Sequence, residues 1–205
     1  QSLLQSGIKK EKVLRIYNGM EYEDFEGFEH RPPATFTFTY FGRLGISKGL
    51  DLLLPAMAEH LKTYPESRLK LIIPTYPEGM FNRIQKRVQK LEIEGQVDMM
   101  HNLPRKQLFE EICQSSCAVV PSYSEGFCFV AAEVVALGVP IISSQRGALP
   151  EVVGGQMLAM EEQSTKALHR ALNQARKGNW QHLPVPVFTL STAVQQYISL
   201  YEQLL

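Results

Sequence analysis

The sequence lacks features that several classes of protein require. Aspartate occurs only at positions 24, 51 and 98, so no Asp-x-Asp pair is present to chelate a metal ion. No run of eighteen apolar residues occurs, and the chain does not show the pattern of a signal peptide. The sequence therefore predicts neither a metal centre built on paired aspartates nor a membrane-spanning helix.

The sequence also contains few cysteines and has no net charge. The three cysteines form no Cys-x-x-Cys motif, which favours reduced thiols in a cytoplasmic protein, with Cys113 and Cys117 packed in the core. Twenty-one basic and twenty-one acidic residues give a formal charge of zero, and no basic stripe is interleaved with aromatic residues. Nucleic acid is therefore not an expected partner.

Short β-rich segments alternate along the chain with longer segments of helical pattern. The 205 residues, 44% of them hydrophobic, suffice for one sizeable core but are few for two full domains. Strands are predicted near 35–42, 68–73, 96–101, 117–121, 139–143 and 156–159, and helices at 47–63, 78–92, 105–114, 127–137, 162–177 and 190–205. This alternation predicts an α/β fold: a Rossmann-like parallel sheet with helices on both faces and ligands at the carboxyl ends of its strands.

Two glutamates bracket a predicted strand-to-helix turn. Glu125 follows the apolar strand that ends near Pro121, and Glu133 lies eight positions later on a helix of small residues. Such a turn leaves unpaired N–H groups at the positive end of a helix, and carboxylates beside it accept hydrogen bonds from hydroxyl groups. Glu133 on a solvated helix face is the alternative, but the pair favours a ligand that carries diols, such as a sugar or a ribose.

A second predicted strand-to-helix turn, at residues 40–50, carries cations instead. Arg43 presents a planar fork for phosphate oxygens, and Lys48 lies about one turn into the following helix. Cations at a helix start are unfavourable against the helix dipole unless an anion offsets them, so these two indicate a diphosphate. The glycines of this turn have the spacing of neither the dinucleotide fingerprint nor the phosphate-binding P-loop.

Taken in order, these motifs resemble a known family. The chain reads Gly-Arg-Leu at 42–44, Lys-Gly-Leu at 48–50, Pro-Ser-x-x-Glu-Gly-Phe with Glu-x7-Glu at 121–133, and Gly-x-x-Pro-Glu-Val-Val at 147–153. This order and spacing resemble the carboxy-terminal domain of the retaining family 4 glycosyltransferases, which have the two-Rossmann GT-B fold. The resemblance runs from about position 13 to the end.

The resemblance implies a role for each matching residue. Arg43 and Lys48 would bind the diphosphate of a nucleotide-sugar donor, Glu133 the ribose hydroxyls, and Glu125 would face the transferred sugar. Further expected donor contacts are Gly42, the backbone N–H groups of Gly126, Phe127 and Cys128, and, beside the nucleobase, His101 and Leu103. Gly147 and Glu151 match the family's next loop and helix, where packing is the expected role.

The implied reaction is transfer of the sugar to an acceptor with retention of anomeric configuration. Negative charge grows on the departing nucleoside diphosphate, so cations already in position stabilise the transition state more than the ground state. The family needs neither a metal nor another cofactor for this chemistry. The glutamates are interpreted as groups that position the ligand, unlike the acid and base pair of a glycosidase.

Three positions depart from the family pattern. Cys128 stands where the family usually has glycine, and Pro74 and His101 stand where glycines usually follow the second and third strands. These substitutions keep open a noncatalytic nucleotide-sugar-binding or scaffold module as an alternative to an enzyme. A nucleotide-sugar epimerase would need acid and base residues that the sequence does not identify.

The resemblance also implies a division of the chain. Residues 1–34 would be an interdomain segment and lead-in, 35–180 the nucleotide-sugar-binding domain, and 181–205 a linker and a C-terminal crossover helix. We expect an amino-terminal Rossmann domain to be missing, so that this chain is half of an enzyme. The acceptor, a glycan or a lipid-linked sugar, and any membrane contact would then belong to the absent half.

Overall fold

A computed structural model describes residues 6–204 of the chain. The described residues form two compact units. The larger unit comprises residues 25–186, and the smaller one combines residues 6–24 with residues 187–204. All the predicted site residues belong to the larger unit.

The larger unit contains one sheet whose strands lie in the order β3-β2-β1-β4-β5-β6-β7. The strands are β1 (Thr37–Phe41), β2 (Arg68–Ile72), β3 (Val97–Met100), β4 (Cys117–Val120), β5 (Ile141–Ser143), β6 (Gly155–Ala159) and β7 (Gln181–Leu183). The first six strands are parallel, and β7 pairs antiparallel with β6. This topology confirms the predicted fold class.

Helices connect the parallel strands. They are α1 (Leu50–Leu61), α2 (Glu78–Lys90), α3 (Arg105–Cys113), α4 (Phe129–Ala136), α5 (Leu149–Val152) and α6 (Thr165–Arg176), with α7 (Leu190–Leu204) in the smaller unit. Helix α6 begins where it does because the Ser164 hydroxyl accepts a hydrogen bond from the Ala167 N–H at 3.1 Å.

The order of the strands reverses between β1 and β4. Chain order runs outward from β1 through β2 to β3, and then resumes on the other side of β1 with β4. At such a reversal the loops leaving the two strands turn to opposite faces and leave a crevice at the carboxyl edge of the sheet. The turns after β1 and β4 are therefore the expected place for a ligand.

The main hydrophobic core covers one face of the sheet. Helices α1, α2 and α6 pack there, and the fully buried Phe38 and Leu53 lie at its centre. All five residues of β1 are buried because helices cover both faces of this central strand. Buried residues of α3, α4 and α5, among them Ile112, Val134 and Leu149, lie outside this core cluster.

Two local predictions differ from the structure. The helix predicted from position 47 begins instead with a 3₁₀ turn at Ile46–Lys48, and α1 starts at Leu50 after Gly49 in a left-handed conformation. The region from residue 181, predicted as a linker before the C-terminal helix, begins instead with β7. Its three residues are exposed and show no alternation of apolar side chains, so sequence periodicity gives no signal for this edge strand.

The smaller unit joins the two ends of the described chain. Its backbone makes a short bridge: the Met20 N–H donates to the Phe188 carbonyl at 2.8 Å, and the Leu190 N–H donates to the Met20 carbonyl at 3.0 Å. Helix α7 follows this bridge directly, at the position where the sequence predicts a final helix. Within residues 6–204, no helix combines the length and apolar character needed to cross a bilayer.

A buried histidine links α1 to α6. In the neutral ring of His60, Nδ1 donates to Asn173 Oδ1 at 2.6 Å and Nε2 accepts from the Ser67 hydroxyl at 3.0 Å. Burial is the main reason why the pKa of His60 lies below its usual value. Folding therefore favours the neutral imidazole.

We predict that His60 makes stability depend on pH. As pH falls below about 6.5, the unfolded chain takes up a proton that folded His60 does not, so the free energy of unfolding decreases by up to about 1.4 kcal/mol per pH unit from this group. Urea denaturation at pH 7.5 and 5.5 measures the decrease. His60→Gln should remove this component, whereas His182→Gln, at an exposed position, should not; equal slopes in wild type and His60→Gln would contradict the prediction.

Candidate active site at the strand-order reversal

The turns after β1 and β4 meet at the carboxyl edge of the sheet. The Tyr123 N–H donates to the Ser47 carbonyl at 2.8 Å, which joins the two turns through their backbones. Gly49 has a φ of +75°, and a Cβ atom there would overlap the Pro121 carbonyl. A side chain at position 49 would therefore separate the two turns.

An ion pair joins the same turns through side chains. Lys48 Nζ lies 2.8 Å from Glu125 Oε1, and the Ser122 hydroxyl donates to the same oxygen at 2.6 Å. The Glu125 side chain is only 8% exposed and that of Lys48 is 21% exposed. A carboxylate this deeply buried needs compensating partners, and this arrangement supplies a cation and a hydroxyl group.

The loop after β5 supports Glu125 from the other side. The Ala148 N–H donates to the Glu125 carbonyl at 3.0 Å. Gly147 has a φ of +62°, and a Cβ atom at this position would overlap the Glu125 carbonyl oxygen. The packing role expected for Gly147 is thus contact with the backbone of Glu125.

A cavity of about 330 Å³ opens beside these turns. It is lined by Phe41, Gly42, Arg43, Ile72, Ile73, Pro74, Asn102, Leu103, Leu108, Val130 and Glu133. The cavity is therefore lined both by Arg43, from the turn after β1, and by Glu133, from helix α4. Arg43 is exposed, and within the described residues it forms no ion pair with a carboxylate.

Glu133 is a largely buried carboxylate with one nearby cation. Its side chain is 17% exposed, and Arg105 Nη2 lies 3.9 Å from its Oε1. Burial raises the pKa of Glu133, while the positive charge of Arg105 acts in the opposite direction. At 3.9 Å the pair is too long for a hydrogen bond, so the carboxylate keeps lone pairs for hydroxyl donors from a ligand.

Cys128 occupies a backbone position that suits glycine. Its φ is +76°, in the left-handed region, and its side chain is buried. Burial, aided by the negative charge of Glu125, raises the pKa of the thiol to about 12, so the thiol stays protonated. The same causes, burial first, raise the pKa of the buried Tyr40. Position 128 therefore has the backbone conformation that suits the expected glycine, although a cysteine stands there.

Some of the remaining predicted residues line the cavity, and others do not. Gly42, with a φ of +133°, and Leu103 line it. His101 is not among the lining residues, but its Nδ1 is hydrogen-bonded to the carbonyl of Ile73, which does line the cavity, at 3.0 Å. Gly126 has open space around it, and Phe127 is buried against Phe129.

Sequence patterns did not identify several residues of the site. Ser122 binds Glu125, and its own carbonyl accepts a hydrogen bond from the Ser144 hydroxyl at 2.6 Å. Arg105 reaches Glu133 from the start of α3. A cation in the first turn of a helix opposes the helix dipole, and this was the one signal that sequence offered for Arg105.

The described residues contain no cluster of three or more His, Cys, Asp or Glu side chains arranged to hold a metal ion. The site is instead a set of cations and carboxylates from neighbouring turns. Arg43 and Lys48 offer donors for phosphate oxygens, and Glu125 and Glu133 offer acceptors for hydroxyl groups. Such a site suits a ligand that carries both phosphate and diol groups.

Comparison with known proteins gives one family. The protein-family model described as "Glycosyl transferases group 1" matches residues 23–182. MMP alpha-(1->4)-mannosyltransferase of Mycolicibacterium hassiacum is 30% identical over 168 residues, covering 76% of this chain and 40% of that protein. D-inositol 3-phosphate glycosyltransferase of Segniliparus rotundus is 32% identical over 126 residues, covering 61% of this chain and 28% of that protein.

A solved structure shows the same fold. HepE of Anabaena, in complex with UDP, aligns with a TM-score of 0.79 and 17% identity over 98% of this chain and 60% of that one. The sheet and helices therefore form the Rossmann-like half of a GT-B fold. The chain matches less than half of the length of each of these two curated relatives.

We predict that Gly147 is required for the placement of Glu125. Gly147→Ala should lower the free energy of unfolding by about 3 kcal/mol, because the backbone must change conformation and Glu125 must move. Gly138→Ala is the matched control: its φ is +68° but no atom lies within 4 Å of the added Cβ, so a loss of about 1 kcal/mol is expected. Urea denaturation measures both, and equal losses would contradict the proposed contact.

Proposed function

Because the chain belongs to the group 1 glycosyl transferases, we propose that it is the donor-binding domain of a glycosyltransferase. It holds a nucleoside-diphosphate sugar in the crevice between β1 and β4. The sugar passes from this donor to an acceptor with retention of anomeric configuration and without a metal ion.

One observation carries this proposal. One cavity at the strand-order reversal is lined by both Arg43 and Glu133, and the Lys48–Glu125 pair joins the turn of Arg43 to the turn that precedes the helix of Glu133. In a nucleoside diphosphate only a few bonds separate the phosphates from the ribose diol, so a cavity that presents both cations and a carboxylate can bind the two groups together. The relatives named as sugar transferases and the UDP in Anabaena HepE support the same ligand class.

Each residue has a proposed contact. Glu133 accepts hydrogen bonds from the ribose hydroxyls, Arg43 and Lys48 bind the diphosphate, and Glu125 faces the sugar. The backbone N–H groups of residues 126–128 donate to sugar hydroxyls or phosphate oxygens, and Gly42 permits close approach of the phosphate. Leu103 lies on the base side of the cavity, and His101 supports that wall through its bond to the Ile73 carbonyl.

The proposed chemistry depends on where charge develops. Breaking the glycosyl-phosphate bond increases the negative charge on the leaving diphosphate, so Arg43 and Lys48 bind the transition state more tightly than the ground state. In the free chain the ion pair with Glu125 holds the partly buried Lys48 beside the site. Lys48 thus needs little reorganisation when phosphate arrives. The acceptor would bind to an amino-terminal domain in a full-length protein.

We predict that Arg43 is required for donor binding. Isothermal titration calorimetry of the chain against UDP-, GDP- and ADP-glucose should show binding of at least one of them. Arg43→Ala should weaken that binding about 10- to 100-fold, because it removes charge-assisted hydrogen bonds worth roughly 1.5–3 kcal/mol.

The matched control is Arg87→Ala, which removes an exposed guanidinium from the last turn of α2 and should leave affinity unchanged. Absence of binding to all three nucleotides at millimolar concentration would refute the proposal. If a full-length protein bound donor but did not transfer sugar, the noncatalytic module would be favoured instead.

We predict that donor affinity rises with pH through the titration of Glu133. Ribose hydroxyls bind the ionised carboxylate, whereas burial raises its pKa in the free chain, so binding releases a proton. Affinity should therefore fall as pH drops below that pKa and level off above it. Titrations with the tightest of the three nucleotide sugars, from about pH 5 to pH 8, measure the effect. Glu133→Gln should bind more weakly and lose this pH dependence; an unchanged profile would assign the proton to another group.

A further inference from the structure

Arg105 lies beside the cavity at the first position of α3. Its guanidinium is 3.9 Å from Glu133 Oε1 and packs over the Phe109 ring, 5.0 Å from the ring centroid. The Arg105 side chain is 57% exposed, whereas that of Glu133 is 17% exposed. The ring therefore fixes the direction of a largely solvated side chain, and this direction brings its charge to the buried carboxylate.

The position of this arginine is unfavourable for the helix itself. A cation in the first turn opposes the N–H groups and the positive end of the helix dipole. Lys106 adds a second cation in the same turn. No acidic residue lies in that turn to compensate. The helix dipole therefore does not explain a cation at this position, whereas the Glu133 carboxylate, 3.9 Å away, is a favourable electrostatic partner for it.

Several charged or titratable groups lie on the elements around Glu133. Its own helix α4 carries no other titratable residue. Besides Arg105, the surrounding strands, turns and helices carry the following charged or titratable residues: Tyr40, Arg43, Lys48, His101, Lys106, Glu110, Glu111, Cys113, Cys117, Tyr123, Glu125, Cys128, Arg146 and Glu151. Cys117 belongs to the core on the opposite face of the sheet. Of the described residues, Arg105 is the charged neighbour that lowers the pKa of Glu133 against the effect of burial.

We propose that Arg105 is a positioning residue for the donor: its guanidinium keeps Glu133 ionised and turned toward the cavity, ready for the ribose diol. The inference rests on the proposed donor site and deepens it. Because the two groups are separated by more than a hydrogen bond, ligand hydroxyls reach the carboxylate without displacing the arginine. Arg105 thus acts on the ligand through Glu133.

The first experiment needs no ligand. Carbon-13 NMR of glutamate side-chain carboxyls in the free chain follows the titration of Glu133, which Glu133→Gln assigns. Arg105→Gln should move the midpoint to higher pH, because burial then acts without the opposing charge, and Arg105→Lys should restore it. Lys106→Gln removes a neighbouring cation of the same turn and should leave the midpoint in place.

The second experiment measures binding of the tightest nucleotide sugar as a function of pH. In Arg105→Gln, affinity above the new midpoint should stay within about twofold of wild type. Below it the loss should grow toward about tenfold per pH unit, because each bound donor must displace one proton. A loss of the same factor at every pH would mean that Arg105 contacts the ligand directly, and it would overturn the positioning role.

An unchanged Glu133 midpoint in Arg105→Gln would also overturn the inference, whether or not a nucleotide binds. If no nucleotide sugar binds the wild-type chain, the donor-site proposal fails while the carboxyl titration still decides whether Arg105 controls Glu133. Urea denaturation of both Arg105 variants serves as the folding control. A role limited to packing on Phe109 would change stability and leave the midpoint alone.

Discussion

The Lys48–Glu125 ion pair is the interaction on which the site depends. It connects turns that leave two adjacent parallel strands on opposite sides of the strand-order reversal. Because Glu125 is almost fully buried, separating the pair would leave an uncompensated charge in the interior, which is strongly unfavourable. The pair therefore fixes how the two turns sit together. Arg43 and Glu133, one from each turn region, face the same cavity as a result.

Close backbone contacts reinforce this arrangement. Gly49 lies against the Pro121 carbonyl, and Gly147 lies against the Glu125 carbonyl, so neither position has room for a side chain. These contacts join three loops into one rim at the carboxyl edge of the sheet. Cys128 keeps a left-handed backbone in the same rim, where strain is tolerated because the surroundings determine the conformation. A rim held this way presents charges to a ligand with little reorganisation.

Much of the fold follows from local patterns. The alternation of short apolar segments with longer segments of helical periodicity predicted the six parallel strands. Strands and helices differ in length and in the spacing of their apolar residues, so the sequence distinguishes them. Arg43, Lys48, Glu125 and Glu133 were proposed as site residues because they lie at or just after two predicted strand ends, which chain order alone reveals. Strand β7 was missed, since three exposed residues paired at a sheet edge carry no periodic signal. His101 was predicted to lie beside the nucleobase, and this stays a prediction; the structure adds that its Nδ1 is hydrogen-bonded to the Ile73 carbonyl.

The sequence by itself determined which side chains lie at the carboxyl ends of the strands, and with them the family; the ligand class proposed above starts from the same residues. Tertiary structure alone decided the partners of those side chains: Lys48 with Glu125, Arg105 with Glu133, and Gly147 beneath Glu125. The physical reason is that periodicity and turn chemistry act between residues a few positions apart. Ion pairing, burial and the pKa of Glu133 depend instead on neighbours that only the packed sheet and its loops bring together.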